Sequence, residues 1–164
     1  MLESVKGACS KEDFRPIFKG ILLEAEGKKL TMTACDGYVL FTNSCELIKG
    51  DSFTTNIPIF EIPKGAAEET EIELEEECIN FNFGNVRYSY KILIGEFIDY
   101  KSYLRRISMF SIRFNPKLLT KALRNSKGIV EMYFAGDRDA VIIKEIENED
   151  NQKYVLPFSK NSQR

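Results

Sequence analysis

The sequence contains no histidine. That removes the Ser-His and Cys-His pairs on which most nucleophilic catalysis depends. Its four cysteines, Cys9, Cys35, Cys45 and Cys78, are widely separated and form no CxxC pair. Without histidine or clustered thiols, the usual ligand sets of a structural zinc are missing. The thiols read as reduced and mostly buried, the ordinary condition in a reducing compartment. An oxidised pairing of Cys35 with Cys45 on neighbouring strands is the alternative. No P-loop, GxGxxG or HExxH pattern occurs. No apolar run approaches the ~18–20 residues that span a bilayer. The opening "MLESVKGACSKED" carries acids where a secretory signal needs an apolar stretch. The expectation is a cytoplasmic protein with no membrane contact. Asp36, Asp99 and many glutamates could in principle support carboxylate chemistry, but no spacing singles out a pair. A non-catalytic protein with no cofactor and no metal is expected.

What is present is a core and a strong segregation of charge. Hydrophobic residues make up 43% of 164 residues, enough to bury a sizeable interior and to argue against disorder. The net charge of −2 conceals two opposed segments. "EETEIELEEE", from Glu68 to Glu77, has seven acids and no base. "KSYLRRISMFSIRFNPKLLTKALRNSK", from Lys101 to Lys127, has eight bases and no acid. A mildly acidic chain therefore carries one strongly positive segment, the type of field that attracts polyanions.

Short alternating runs dominate the pattern. Leu2, Val5, Ala8 and Cys9 have helical spacing at the N-terminus. Strands are expected in "IFKGILLEAEG", "KLTMTAC", "YVLFTNSCEL", "SFTTNIP", "TEIELEEE", "CINFNFGN" and "VRYSYKILIG". Ile72 and Leu74 should face inward. Asp36-Gly37 between two alternating runs signals a hairpin with a type I′ turn. "IFEIPKGA" is a short helix at best. "MFSIRFN" reads as a strand, followed by a helix from 116 to 125 with Asn115 as its cap and Pro116 at its first position. Leu118, Leu119, Ala122 and Leu123 lie on one side of that helix, and Lys117, Lys121 and Arg124 on the other. Strands should follow in "GIVEMYFAG", "DAVIIKEIE" and "KYVLPF". The order suggests three successive units of roughly 50 residues, each a helix with hairpin-linked strands, and hence an α+β fold with antiparallel sheets and short helices on one face.

Four ordered landmarks carry a resemblance. "ACSKEDFRPIFKGILLEAEGKKLTMTACDGYVL" is similar to the middle domain of the bacterial sliding clamp, the beta subunit of DNA polymerase III. Arg15, Pro16, Gly20, Leu22, Leu23, Glu24, Glu26, Gly27, Ala34, Asp36, Gly37, Tyr38 and Leu40 match without a gap. "GEFIDYKSYL" resembles the close of that domain, "FNPKLLTKAL" a helix in the second half of the third domain, and "YVLPF" the closing tail. The resemblance implies a DNA-clamp fold, with residues 1–104 like the middle domain and 105–164 like the second half of the third. It does not extend to the first domain or to the first half of the third.

The resemblance also implies function: a replication factor that makes no bonds itself, binds duplex DNA without reading sequence, and tethers a polymerase or other partners that carry clamp-binding linear peptides. It implies phosphate-facing cations at Lys117, Lys121 and Arg124 and at Lys6, Lys11 and Arg15. It implies a hydrophobic peptide groove formed by Phe18, Cys35, Gly37, Tyr38, Val39 and Leu40, joined by Asn115, Leu118, Val155, Leu156, Pro157 and Phe158. Val39, Leu118, Arg105 and Ser159 depart from the residues usual in the family at those positions, so the groove's rim should differ. The alternative is a reduced clamp relative that binds such peptides as adaptor or competitor without encircling DNA. Because the last unit lacks its partner half, a two-fold homodimer completing a composite domain is expected.

Overall fold

The structure is a computed structural model that describes residues 1–12, 15–61, 70–104, 112–124, 126–136 and 139–157. It divides into two compact units, Met1–Tyr100 and Lys101–Arg164, rather than into three.

The first unit holds two antiparallel sheets. Strands β1 (Gly20–Glu26), β2 (Lys29–Cys35), β3 (Leu40–Glu46) and β4 (Phe53–Pro58) form a sheet of order β3-β2-β1-β4. Strands β5 (Glu71–Leu74), β6 (Cys78–Phe83) and β7 (Val86–Lys91) form the second, in sequence order. Helix α1 (Leu2–Val5) and a following 3-10 turn bury Leu2, Val5 and Ala8, the helically spaced residues of the N-terminus. They join Ile21, Leu23, Ala25, Met32, Ile57, Ile79 and Phe81 in one core. Phe60 knits the two sheets, its ring centroid lying 4.7 Å from that of Phe81 and 5.0 Å from that of Tyr90.

The alternation in β1 sends Ile21, Leu23 and Ala25 into this core and leaves Leu22 and Glu24 on the opposite face. That face is covered by the segment after β7. Tyr100 donates its hydroxyl to Glu24, Asn56 donates to the Gly95 carbonyl at 3.1 Å, and Phe97 meets Phe18 edge-on at 5.7 Å. Gly20 permits this close approach. A Cβ there would clash with Leu93 Cδ1 and the Ile57 carbonyl oxygen.

The second unit is smaller. Helix α2 (Tyr100–Leu104) leads into it, and α3 (Pro116–Leu123) packs on the antiparallel sheet β10-β9-β8, built from β8 (Val130–Tyr133), β9 (Val141–Glu145) and β10 (Asn148–Val155). Its core is Val141, Ile143 and Val155, covered by Leu119, Ala122 and Leu123 of α3 and by Ile112, Phe114 and Val130.

Several expectations are corrected. The Asp36-Gly37 bend is not a type I′ turn. That turn needs positive φ at both central residues, and among the described residues only glycines have positive φ. Four residues, Asp36–Val39, bridge β2 and β3 instead. Leu74 is 41% exposed, whereas Ile72 does pack against the core. Of the strand expected at 109–115, residues 112–115 are irregular and 109–111 lie outside the described residues; the helix ends at Leu123 rather than 125. Leu118 lies off the core face of α3 and is 50% exposed. The short helix considered at 59–66 is irregular over 59–61, and 62–66 lie outside the described residues. Cys35 and Cys45 are both free thiols. Cys35 pairs with Leu40 in the β2–β3 ladder and Cys45 with Leu30, five positions apart along the hairpin.

Candidate functional site

The loop between β2 and β3 is held by one carboxylate. Asp36 Oδ1 accepts the N–H groups of Tyr38 and Val39, each at 2.8 Å, and the Asp36 N–H donates to the Val39 carbonyl at 3.3 Å. The two side-chain bonds, Val39 first, hold the Asp36 carboxyl below the usual carboxylate range. Gly37, at φ 98°, turns the chain, and its N–H meets Cys35 Sγ at 3.2 Å. This arrangement lifts Tyr38 to 96% exposure and leaves Val39 half-exposed. Burial of a tyrosine normally follows from its area, so an aromatic ring held out by a pinned loop is a candidate contact residue. Phe18 and Cys35, expected beside them at the surface, are interior residues at 3% exposure each, and Leu40 is half-buried.

In the second unit, α3 and β10 enclose an open groove of about 480 Å³. It is lined by Leu118, Lys121 and Ala122 from the helix, by Lys153, Tyr154 and Val155 from the strand, and by Leu156 just after it. Asn115 positions the helix. Its Oδ1 accepts the Lys117 N–H at 3.0 Å, the cap expected of Asn before Pro at the first helical position. With that oxygen engaged, Asn115 acts on the groove by placing α3. Leu118 and Ala122 are one helical turn apart and share a face. Val155 is buried, while Leu156 is 70% exposed and Leu118 half-exposed, so the floor is shielded and the two leucines form apolar rims. Pro157 follows, half-buried, and Phe158 lies outside the described residues.

Lys153 is the lysine that the strand contributes to the lining. Its ammonium donates to Glu145 Oε1 at 2.8 Å and to Ser126 Oγ at 2.6 Å. Glu145 is buried, and its carboxyl is held below the usual range chiefly by the hydrogen bond from Lys153. This network, and the groove-lining role of Ala122, Lys153 and Tyr154, were not anticipated from sequence. The available signals were that Lys153 shares a strand face with Val155 and that Ala122 follows Leu118 by four.

The expected DNA-facing cations do not form one class. Lys117, Lys121 and Arg124 are exposed on α3, and Lys121 also lines the groove. Lys11 is exposed in the first unit. Lys6 is ion-paired with Glu3 at 2.6 Å, and Arg15 lies 5.4 Å over the Phe18 ring. Among the described residues no group of three His, Cys, Asp or Glu side chains could hold a metal ion, and no helix is long and apolar enough to cross a membrane.

This architecture has close counterparts. A sliding clamp from Bacillus subtilis matches with a TM-score of 0.72 and 21% identity, over 95% of this chain and 46% of that one. The DNA polymerase III beta chain of Streptococcus pneumoniae matches at 0.75 and 19%, over 96% and 46%. The fold is that of the bacterial sliding clamp. Sequence similarity points the same way. The beta sliding clamp of Buchnera aphidicola from Acyrthosiphon pisum is 26% identical over 146 residues, which is 83% of this chain and 39% of the relative. Its counterpart from Buchnera aphidicola of Rhopalosiphum padi is 28% identical over 147 residues. No family model matches the chain. The likeness to the polymerase III beta subunits read from the four landmarks thus extends across nearly all of this chain, which spans less than half the length of those clamp relatives.

Proposed function

We propose that this chain works as a sliding-clamp-type replication factor that tethers a polymerase or another partner through a short peptide seated in the α3–β10 groove, and that it touches duplex DNA through the cations of α3. The observation that carries the reading is the groove itself: Leu118, Val155 and Leu156 line one apolar trough on the helix that also bears Lys117 and Arg124. Its volume falls within the roughly 300–1,000 Å³ of small-ligand sites, suited to one or two anchor side chains rather than to a folded partner. A buried Leu or Phe anchor contributes roughly 1.5–3 kcal/mol, so two anchors give about micromolar binding after the costs of association. The DNA contact, if made by diffuse lysine and arginine charge, is blind to sequence and falls steeply with salt.

The test is a pair of titrations on the full chain. A labelled peptide with two apolar anchors should bind, and Leu156→Asp should abolish that binding while leaving duplex DNA binding in place, since Leu156 is largely exposed and outside the core. Loss of neither in Leu156→Asp refutes the groove. The adaptor reading, peptide binding without encircling DNA, is favoured by two observations: Lys6 is taken up by Glu3 and Lys121 lines the groove, which thins the cations left for phosphate. Absence of duplex binding at low ionic strength would select it.

We infer in addition a two-fold homodimer through the second unit. Supporting this, β8 is an outer strand of the sheet β10-β9-β8, and Ile129, Met132 and Tyr133 in or beside it are exposed. Light scattering on the eluting protein at micromolar concentration should give twice the chain mass; a monomer overturns it.

A further inference from the structure

We propose that the outer face of the sheet β10-β9-β8 docks a proline-rich segment of a partner protein, with two prolines three positions apart seated on Tyr133 and Tyr154 and a flanking Arg or Lys directed to Glu131. This surface is separate from the α3–β10 groove, because α3 covers the other face of the sheet, where Val141, Ile143 and Val155 lie. Alternation along the strands puts Tyr133, Ile142 and Tyr154 on the face away from that core. The ladder aligns them: Tyr133 pairs with Ile142 on one side of β9, and Tyr154 pairs with Ile142 on the other. They form one row across the sheet, with Tyr154 63% and Tyr133 46% exposed and Ile142 half-buried between them. The next row is Glu131, Lys144 and Gln152. Both rings are tied down. Tyr133 donates its hydroxyl to Glu131, and Tyr154 donates to Gln152 at 3.1 Å, each two residues back on its own strand. Strands β8 and β10 both run antiparallel to β9, so the two rings lean the same way. Lys144 Nζ lies 5.3 Å from the Tyr133 ring centroid and holds that ring further. Exposed aromatic rings fixed in one orientation offer contact area at little ordering cost.

Spacing and charge together choose the ligand. Neighbouring strands lie about 4.8 Å apart, so β8 and β10 stand about 9.6 Å apart. A polyproline II helix rises about 3.1 Å per residue, and three residues cover about 9.3 Å. Prolines at i and i+3 therefore repeat at the interval of the two rings, with Ile142 under the residues between them. Such a segment is already extended before it binds and needs no strand edge. From Gly128 to Pro157 the chain has seven acids and three bases. Of those bases, Lys144 is the cross-strand neighbour of Glu131, and Lys153 is engaged by Glu145 on the other face. Glu131 and Glu147 are exposed. A single-stranded nucleic acid stacking its bases on the tyrosines would meet this surplus of acid, whereas a neutral backbone with a basic flank complements it. Pairing between copies through the β8 edge runs in the plane of the sheet and leaves the face open.

The experiment uses the full chain and three labelled peptides followed by fluorescence anisotropy. One carries Pro-x-x-Pro with a flanking Arg, the second has the same residues reordered to place the prolines four apart, and the third has Gln for the Arg. The first should bind, and reordering should weaken it about fivefold, the range of one lost aromatic contact. Gln for Arg should weaken it about threefold at low salt, with the margin narrowing as salt rises. Tyr154 also borders the α3–β10 groove, so Tyr133 carries the test. Tyr133→Ala should lower affinity about fivefold and Tyr133→Phe little, while a two-anchor peptide binds the groove unchanged in both. Glu131→Gln keeps an acceptor for the Tyr133 hydroxyl and should erase the preference for Arg. Failure of the first peptide to bind, equal binding of the reordered one, or unchanged binding in Tyr133→Ala overturns the platform and leaves the groove standing. Displacement of the peptide by a single-stranded oligonucleotide would make the face a nucleic-acid surface and overturn the proposal. Loss of peptide binding only when the chain self-associates would assign the face to a second copy and overturn it as well.

Discussion

Replacing Ile143 with alanine should nearly unfold the second unit, and the reason is how little else holds it. Ile143 is 1% exposed at the centre of β9, and among the described residues only Val141 and Val155 share full burial in that core. Deleting most of a buried isoleucine costs about 2–5 kcal/mol, through lost transfer energy and the cavity left behind. At ~0.05–0.15 kcal/mol per residue, a unit as long as Lys101–Arg164 has roughly 3–10 kcal/mol of stability in total. The substitution therefore removes a large share, and α3, Leu119, Ala122 and Leu123 lose the surface they lie on. With a urea dependence of about 1 kcal/mol per molar for so small a unit, the midpoint followed by amide exchange of β8–β10 should fall by 2 M or more. Peptide binding at the groove should fall with it. Leu118→Ala is the matched control. Half of that side chain is already in water, so stability should change by under ~1 kcal/mol while peptide affinity falls roughly fourfold to tenfold, as expected of the area still to be buried. A shift below about 0.3 M in Ile143→Ala would refute the assignment of this small cluster as the unit's core.

Other substitutions probe separate parts of the structure. Asn115→Ala removes the α3 cap and should cost about 1 kcal/mol in a thermal or urea melt, with Asn115→Asp close to neutral. Gly20→Ala forces a Cβ against Leu93 and the Ile57 carbonyl and should destabilise the first unit by about 1–3 kcal/mol; an unchanged melt would refute the close packing there. The Asp36 carboxyl is lowered on folding, so its contribution is fully present above its unfolded value and is lost as pH falls through the lower folded one. Amide exchange at Tyr38 and Val39 should quicken on that acid side beyond its intrinsic trend, and Asp36→Asn should remove the extra pH dependence. Glu145 has the same sign, so acid should weaken the β9–β10 end of the second unit, an effect absent from Glu145→Gln in an acid titration followed by amide exchange.

Much of this protein is legible in the order of its residues. Alternation marks β1, β2 and β6, because a strand with one buried face must repeat every two residues. Asn115-Pro116 marks the start of α3, because a cap and a proline satisfy the same local backbone needs in any context. The four landmarks were enough to indicate the sliding-clamp fold. Local pattern fails where a side chain competes for the backbone or where distant segments pack. The Asp-Gly bend has the composition of a type I′ turn, yet the Asp36 side chain supplies a competing set of hydrogen bonds and a wider loop results. Phe18 and Cys35 have the apolar character of groove residues, but Phe97 and the folded hairpin enclose them.

Charge pattern alone also places Lys117, Lys121 and Arg124 in one class. Only the packing of α3 against β10 places Lys121 in the lining of the groove, and only the β9–β10 register brings Lys153 to Glu145. Sequence by itself determined most of the strands and the start of α3, since those follow from local geometry, but not the irregular backbone at 112–115 or the exposed sides of Leu74 and Leu118. Tertiary structure decided which polar groups meet inside and which leucines stay in water. That depends on contacts between residues far apart in the chain, whose energies no local period encodes.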